Sequence, residues 1–319
     1  MQEHTNQPLV SIIVITYNSS KFVLETLESA KAQTYSNIEL IVTDDNSTDN
    51  TVEICKKWIE ENNHRFIRAN LVSSKTNTGI PANINRGLNI AKGLWIKCIA
   101  GDDLFREDCL TELIHYISEQ KEDIQVLSAH IIRFSGNSIK DGEIKKNPYT
   151  KFCSKDSTPM DQYNMLLRTN MVFAATVIMK RDLLLSLNGF DERFILMEDW
   201  PLWLKITYAG YKMYYLDKPL VFYRVHDNNL SQTTNQNFLY HPMNKIVISF
   251  KEKELVPRLP FIERMGLKHD ILAMKACFFL GNNKKNPLTK TVYLGFNISN
   301  PFYIYLRIRK MLGIKNANI

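Results

Sequence analysis

Between residues 10 and 130, the chain alternates short apolar runs with segments whose apolar residues recur at helical spacing. The first run, 10–15, is apolar on both faces, which is typical of a strand buried in a parallel sheet. Further strands are predicted at 38–42, 66–72 and 94–99, with helices between them. This β-α-β alternation predicts an α/β fold whose ligands bind beyond the carboxyl ends of the strands.

Local signals predict where some helices begin and end. Ser20 is a candidate N-cap of the first helix, Gly93 is a candidate C-terminal glycine of the helix before the fourth strand, and Pro201 marks the start of a later helix.

The remainder of the chain divides by composition. Residues 135–159 are rich in Gly, Asn, Lys and Ser and predict loops or a polar hairpin outside the core. A second ordered block is predicted at 173–231, and the pattern becomes helical from residue 237. We therefore expect one domain over 1–235 and a C-terminal helical region over 236–319.

Charge and cysteine content limit the class of protein. The chain has 40 Lys and Arg against 33 Asp and Glu, so nucleic acid, nucleotide phosphates and anionic lipid are all candidate partners. The basic residues are dispersed and no nucleic-acid recognition motif occurs, so we expect no nucleic-acid partner. Five scattered cysteines without a C-x-x-C pair argue against a disulfide framework or a zinc knuckle. With no apolar leader in residues 1–8, a cytoplasmic protein is expected.

Polar clusters follow three of the predicted strands. They are Thr16-Tyr17-Asn18, the run beginning Asp44-Asp45, and Gly101-Asp102-Asp103. Each cluster alone can be read as a turn or a helix cap. Adjacent carboxylates repel unless a cation or a donor compensates, and carboxylate oxygens suit magnesium or manganese bound together with substrate phosphates. Asp102 and Asp103 fit that pattern, whereas Asp44 and Asp45 could accept hydrogen bonds from a nucleoside and Tyr17 could stack on its base.

A further carboxylate pair, Glu198-Asp199, precedes Pro201. Asp199 is either a helix cap or a general base that takes a proton from an acceptor hydroxyl. His226 lies in a polar loop after an apolar run, where a lone histidine is usually structural or exposed.

Taken in order, these elements resemble the family-2 glycosyltransferases, whose catalytic domain has the GT-A fold. The resemblance covers roughly residues 9–231. Its motifs are Thr16-Tyr17-Asn18, Asp44-Asp45, Asn77-Thr78-Gly79, Asn85-Arg86-Gly87, Gly101-Asp102-Asp103, Gly189-Phe190-Asp191, Glu198-Asp199 and His226. It implies a GT-A nucleotide-binding fold with a mostly parallel central sheet flanked by helices and followed by a C-terminal helical extension.

The resemblance also implies a role for each motif residue. The residues expected at the donor nucleotide are Thr16, Tyr17, Asn18, Asp44, Asp45, Asn77 and Asn85. Those expected at the donor sugar or diphosphate are Asp103, Glu198 and His226, and those expected at the metal are Asp102, Asp103 and His226. Asp199 is the implied catalytic base. Ala100 stands where many family members carry the leading aspartate of the metal motif, which weakens the predicted metal geometry.

The implied activity is inverting transfer of a sugar from a nucleotide-diphosphate donor, with uridine as the expected base, to an acceptor hydroxyl. Manganese or magnesium is the implied cofactor, and the implied acceptor is a glycan or lipid-linked glycan of bacterial cell-surface biosynthesis. Two alternatives stay open: a nucleotidyltransferase, although the first strand lacks a Gly-rich phosphate loop, and a non-catalytic nucleotide-sugar or carbohydrate-binding relative. The aromatic and basic run 302–312 either contacts an anionic membrane face, which would make the protein peripheral at the inner face of the cytoplasmic membrane, or packs on the catalytic domain.

Overall fold

A computed structural model describes residues 7–135, 142–145, 151–226, 239–240 and 244–312. The chain divides into two compact units, 1–226 and 227–319. The predicted domain boundary at 235/236 and the end of the predicted block 173–231 lie outside the described residues, so that boundary stays a prediction.

The first half of unit 1 is a parallel sheet with the strand order β3-β2-β1-β4. Its strands are β1 (Val10–Thr16), β2 (Ile38–Asp44), β3 (Arg68–Ser73) and β4 (Trp95–Ala100). They are connected by α1 (Val23–Lys31), α2 (Thr51–Asn62) and α3 (Ile80–Ile90). Nearly every residue of β1 and β2 is buried, because helices cover both faces of a parallel sheet.

The sheet continues from β4 in the order β8-β6-β9-β5, and β7 pairs with β6. These strands are β5 (Leu104–Phe105), β6 (Val126–Ser135), β7 (Glu143–Lys145), β8 (Ile178–Lys180) and β9 (Met213–Val225). The helices of this half are α4 (Cys109–Glu119), α5 (Pro159–Leu166), α6 (Arg181–Ser186) and α7 (Asp199–Tyr208). The long pairing of β6 with β9 is parallel, whereas the antiparallel pairings are short. The predicted α/β fold with a mostly parallel sheet is confirmed.

Two predicted helix signals are wrong. The first helix begins at Val23 without a side-chain cap, and Ser20 instead donates its N–H to Asp49. The third helix ends at Ile90, so Gly93 is not its C-terminal glycine. A Cβ at Gly93 would lie 2.5 Å from Ser11 Oγ, which shows that Gly93 permits a close chain crossing.

The segment 135–159 is only partly as expected. Residues 143–145 pair antiparallel with β6, which agrees with the polar-hairpin alternative, whereas 136–141 and 146–150 lie outside the described residues. Phe152, in contrast, is 1% exposed, so the expectation that nothing in this segment enters the core is wrong. A single large apolar side chain overrides a polar local composition, because its burial contributes roughly 1.5–3 kcal/mol.

Unit 2 is helical, as predicted. It contains α8 (Asn244–Phe250), α9 (Phe261–Gly281), α10 (Pro287–Ser299) and α11 (Pro301–Met311). A small core of Ile248, Val256, Ile271 and Met274 holds α8 against α9. Across the described residues, no helix has the length and apolar content needed to cross a membrane.

Candidate active site

The polar clusters that follow β1 and β2 are joined by direct hydrogen bonds. Thr16 Oγ1 donates to Asp44 Oδ2 at 2.9 Å. The backbone N–H of Asn18 donates to Ser47 Oγ at 2.8 Å, and Asn18 Oδ1 accepts from the N–H of Thr48 at 2.8 Å. Asn18 adopts this position with a φ of 51°, a conformation that asparagine tolerates better than most residues. The strand ends therefore form one polar surface, as the parallel pairing predicts.

The carboxylate of Asp45 is fully used within the protein. It accepts the N–H groups of Thr78 and Gly79 at 2.9 and 2.7 Å, the Thr78 hydroxyl at 2.7 Å and Arg86 Nη2 at 2.5 Å. A carboxylate offers about four acceptor positions, so Asp45 is saturated here and fixes the turn before α3. Its predicted contact with a nucleoside stays a prediction.

Tyr17 is accessible to a ligand, whereas Asp44 is buried. Asp44 accepts the Ser47 N–H at 2.9 Å, the Ser47 hydroxyl at 2.5 Å and the Thr16 hydroxyl, and it is 1% exposed, so its contact with a nucleoside stays a prediction. Tyr17 is 50% exposed at the end of β1, so a face of its ring is available for stacking. Asn77 is also exposed, and its Oδ1 accepts the N–H of Gly79 at 3.2 Å.

Asn85 contacts the segment that leads to the carboxylate pair. Its Nδ2 donates to the carbonyl of Phe190 at 2.9 Å and to Glu192 Oε1 at 2.7 Å, and its Oδ1 accepts the N–H of Phe190 at 2.9 Å. Nearby, the N–H of Ile80 donates to the carbonyl of Ile195 at 2.8 Å. Helix α3 thereby braces residues 190–195, and a nucleotide contact of Asn85 stays a prediction.

The metal candidates meet where β4 and β9 end. His226 Nε2 lies 3.0 Å from Asp102 Oδ2, and both side chains are partly exposed. Asp103, in contrast, is 3% exposed, and its Oδ1 accepts the N–H of Arg224 at 2.9 Å. Burial and the neighbouring charge of Asp102 raise the pKa of Asp103 well above its usual range.

Asp102 and His226 together fit a divalent cation that takes only some of its ligands from the protein. Within the described ranges, no three His, Cys, Asp or Glu side chains gather as a metal cage. Asp102 and His226 supply one carboxylate oxygen and one imidazole nitrogen. Magnesium and related ions are commonly bound by one or two protein ligands plus substrate phosphates and water.

Arg224 was not predicted from the sequence, yet it organises this corner of the site. It is 1% exposed, and its Nε donates to the carbonyl of Asp102 at 2.9 Å. Its Nη2 donates to Glu25 at 2.7 Å, and its guanidinium lies 4.6 Å from each of the rings of Phe22 and Phe134. Its only sequence signal was its position near the end of β9, two residues before His226.

The carboxylate pair lies at the start of α7. Asp199 Oδ1 accepts the N–H of Trp200 at 2.6 Å, and Asp199 Oδ2 accepts from Asn170 Nδ2 at 2.5 Å. The position before the helix is Glu198, whose side chain makes no capping hydrogen bond. Asn170 was also missed, since nothing in its sequence context connects it to a residue 29 positions away.

Burial affects both carboxyls of this pair. Burial, with a further contribution from the charge of Asp199, raises the pKa of Glu198 to about 8. Burial also raises the pKa of Asp199, while the hydrogen bonds from Trp200 and Asn170 oppose that rise. The two hydrogen bonds that Asp199 accepts favour its charged form, whereas no side-chain donor among the described residues lowers the pKa of Glu198.

Comparison with known proteins identifies related sequences. Residues 11–179 match the family described as Glycosyl transferase family 2. An uncharacterized glycosyltransferase of Haemophilus influenzae is 28% identical over 77% of this chain and 78% of its own length. The UDP-Glc:alpha-D-GlcNAc-diphosphoundecaprenol beta-1,3-glucosyltransferase WfaP of Escherichia coli is 28% identical over 83% of this chain and 91% of its own length.

Solved structures share the fold. Residues 1–349 of S. aureus TarS in complex with UDP-GlcNAc superpose with a TM-score of 0.58 at 19% identity, covering 90% of this chain and 79% of that one. The mannosyltransferase PcManGT from Pyrobaculum calidifontis, in complex with GDP-Man and Mn2+, superposes with a TM-score of 0.52 at 19% identity, covering 97% and 86%. At these identities the likeness shows the fold alone.

Proposed function

The chain belongs to glycosyl transferase family 2, and from this we propose that it transfers a sugar from a UDP-linked donor to an acceptor hydroxyl with inversion, using Asp199 as the base. The observation that carries the proposal is the geometry at the start of α7. Asp199 is partly exposed there, and its two carboxylate oxygens accept hydrogen bonds from the N–H of Trp200 and from Asn170. We assign catalysis to a domain over 1–235.

We propose that the donor nucleotide binds at the ends of β1 and β2. Tyr17 would stack on the base, while the buried Thr16 and Asp44, together with Asn18, would hold the nucleotide-binding surface in shape. Uridine is supported by one relative named for UDP-Glc and one structural neighbour in complex with UDP-GlcNAc. Asp45, Asn77 and Asn85 complete the predicted nucleotide set, with Asp45 and Asn85 acting through the segments that they hold.

We propose manganese or magnesium dependence. Asp102 and His226 would hold the ion, and Asp103 would act from the adjacent buried position. When bound, such an ion supplies positive charge to the diphosphate that leaves. A structural neighbour in complex with Mn2+ supports the cofactor class.

The proposed reaction is a single displacement. Asp199 accepts the proton of the acceptor hydroxyl as its oxygen forms a bond to the anomeric carbon. The bond from that carbon to the diphosphate oxygen breaks on the opposite face, and both electrons leave with the diphosphate. We propose that Glu198, the residue before the base, contacts the donor sugar. General-base catalysis of this kind contributes roughly 10²–10⁴-fold, and holding both substrates together supplies much of the remainder.

We propose a lipid-linked glycan as the acceptor, within polysaccharide or glycolipid synthesis of the cell envelope. The name of the WfaP relative, which includes a diphosphoundecaprenol acceptor, supports this class. Peripheral attachment at the inner face of the cytoplasmic membrane, through the C-terminal region, belongs to the same proposal. The family favours sugar transfer over the nucleotidyltransferase alternative.

Replacing Asp199 by Asn tests the base. We expect Asp199→Asn to lose at least roughly 100-fold in turnover with UDP-glucose and GlcNAc-diphosphoundecaprenol, while UDP affinity stays within about twofold. Asp182→Asn, an exposed aspartate on α6, is the matched control and should retain full turnover. Near-normal transfer by Asp199→Asn would show that another group is the base. Donor binding without transfer to any glycan acceptor by the unmodified protein would favour the non-catalytic alternative.

A further inference from the structure

Positive charge is concentrated in the second unit. Residues 227–319 contain 14 Lys and Arg against 5 Asp and Glu, a net charge of +9, whereas the whole chain has a net charge of +7. Residues 1–226 therefore carry a net charge of −2. After Asp270 the sequence contains eight Lys and Arg and no Asp or Glu. The field around α10 and α11 is consequently positive.

The same stretch exposes large apolar side chains. We define the C-terminal surface as the exposed apolar and basic residues between 279 and 312. Phe279 is 89% exposed and Met311 is 86% exposed. The other exposed apolar members are Leu280, Leu288, Leu294, Ile298, Tyr303, Ile304, Ile308 and Leu312, and the exposed basic members are Lys284, Lys285, Lys290, Arg307 and Lys310. Single exposed apolar residues are ordinary, but ten of them with five exposed cations within residues 279–312 are typical of an interaction surface.

Helical spacing places part of this surface on one stripe of α11. On α11, Ile304, Ile308 and Met311 follow one another at intervals of four and three, and so form one apolar stripe. Arg307 and Lys310 lie beside that stripe, shifted by one residue. An apolar stripe with flanking cations is the pattern of a helix that lies in the headgroup region of a bilayer.

The surface is held in a defined shape. Gly266 on α9 lets α11 approach, since a Cβ there would lie 2.4 Å from the Cβ of Phe302. Between α10 and α11, the buried Asn300 accepts the N–H groups of Phe302 and Tyr303 at 2.9 and 3.4 Å and donates to Asp270 at 2.7 Å. The apolar stripe of α11 is therefore presented by a helix that is packed against α9.

We propose that the C-terminal surface docks on an anionic lipid bilayer, with its apolar side chains in the headgroup region and its lysines and arginines against lipid phosphates. Nucleic acid would satisfy the charge but gives exposed Ile, Leu and Met side chains no apolar phase to enter. A second copy would cover the apolar residues but would bring two units of net charge +9 together. An anionic membrane satisfies both features. The inference deepens the peripheral attachment of the proposed function by naming the surface that makes it, and it rests on that function for its purpose, which is to bring the site to a lipid-linked acceptor.

Vesicle sedimentation of the full chain tests whether the basic residues of the C-terminal surface contribute to membrane binding. Binding should require phosphatidylglycerol in phosphatidylcholine vesicles and weaken as salt rises. Because each basic residue near an anionic surface contributes about 1 kcal/mol, the double change Lys284→Ala and Lys285→Ala should weaken binding roughly thirtyfold. The matched control changes another adjacent and exposed pair, Lys56→Ala and Lys57→Ala on α2, and should bind as the unmodified protein does. Equal loss in both pairs would overturn the proposal.

Apolar substitutions complete the test. Phe279→Ser and Met311→Ser should each weaken vesicle binding several-fold, whereas Ile67→Ser, a 68% exposed control in unit 1, should not. Sedimentation that is unchanged by both apolar variants and abolished by competing RNA would identify a nucleic-acid surface instead. Concentration-dependent dimers that Met311→Ser dissociates would identify a second copy. UDP affinity, measured in the same variants, should be unchanged, so failure of vesicle docking and failure of the donor site are distinguishable.

Discussion

Replacing Arg224 with Met should lower both the free energy of unfolding and the affinity for UDP in the presence of manganese. The substitution removes the Nε bond to the Asp102 carbonyl at 2.9 Å, and a hydrogen bond from a charged donor contributes roughly 1.5–3 kcal/mol. The ion pair with Glu25 adds less than about 1 kcal/mol, because Glu25 is half exposed. Contacts with the two Phe rings add about 0.5–1 kcal/mol each, part of which Met retains. We expect a loss of roughly 3 kcal/mol in the free energy of unfolding.

Arg68 offers a matched control at the other edge of the sheet. Its Nη2 donates to the carboxylate of Glu39 and to the carbonyl of Ile90, at 2.6 and 2.7 Å. Arg68→Met therefore removes the same kinds of bond near the amino ends of the strands. Denaturant titration should give losses of stability of similar size for both variants.

Nucleotide binding should distinguish the two variants. Without its bond from Arg224, the Asp102 turn is no longer fixed beside His226. UDP affinity in the presence of manganese should fall at least about tenfold in Arg224→Met, and it should stay within about twofold in Arg68→Met. A folded Arg224→Met protein with unchanged manganese-dependent UDP affinity would refute the positioning role of Arg224.

Two further predictions concern the base and the nucleoside. The transfer rate should fall as pH falls through the raised pKa of Asp199. Asn170→Ala should move this fall in the pH profile of kcat to higher pH, because it removes a hydrogen bond that lowers the pKa of Asp199. An unchanged pH profile of kcat in Asn170→Ala would contradict the arrangement. Tyr17→Ala should weaken UDP binding by roughly 1–3 kcal/mol, the usual contribution of base stacking, while Tyr17→Phe should bind normally in the same calorimetric titration.

The sequence predicts the parallel half of the sheet well, because buried parallel strands are apolar on both faces and their connecting helices are amphipathic. It does not predict that β8 lies between β4 and β6, since strand order depends on packing between distant segments. The signals at Ser20 and Gly93 were wrong for a related reason. Tertiary contacts to Asp49 and Ser11 determined the local structure there.

The candidate site also combines features that the sequence predicts with features that it does not. The clusters at the strand ends could be predicted to meet, because the carboxyl ends of parallel strands lie at one edge. How Asp45 and Asn85 are used could not be predicted, because their partners at 78–79 and 190–192 come from separate loops. Asn170 was missed because a single polar residue in a loop has no periodicity to reveal it.

Isothermal titration with UDP, GDP and a series of UDP-sugars, each with and without manganese, tests the central claim most directly. We predict that UDP and at least one UDP-sugar bind, that manganese strengthens this binding, and that GDP binds more weakly. A folded protein that binds none of these nucleotides under any metal condition would contradict a donor site at the ends of β1, β2 and β4.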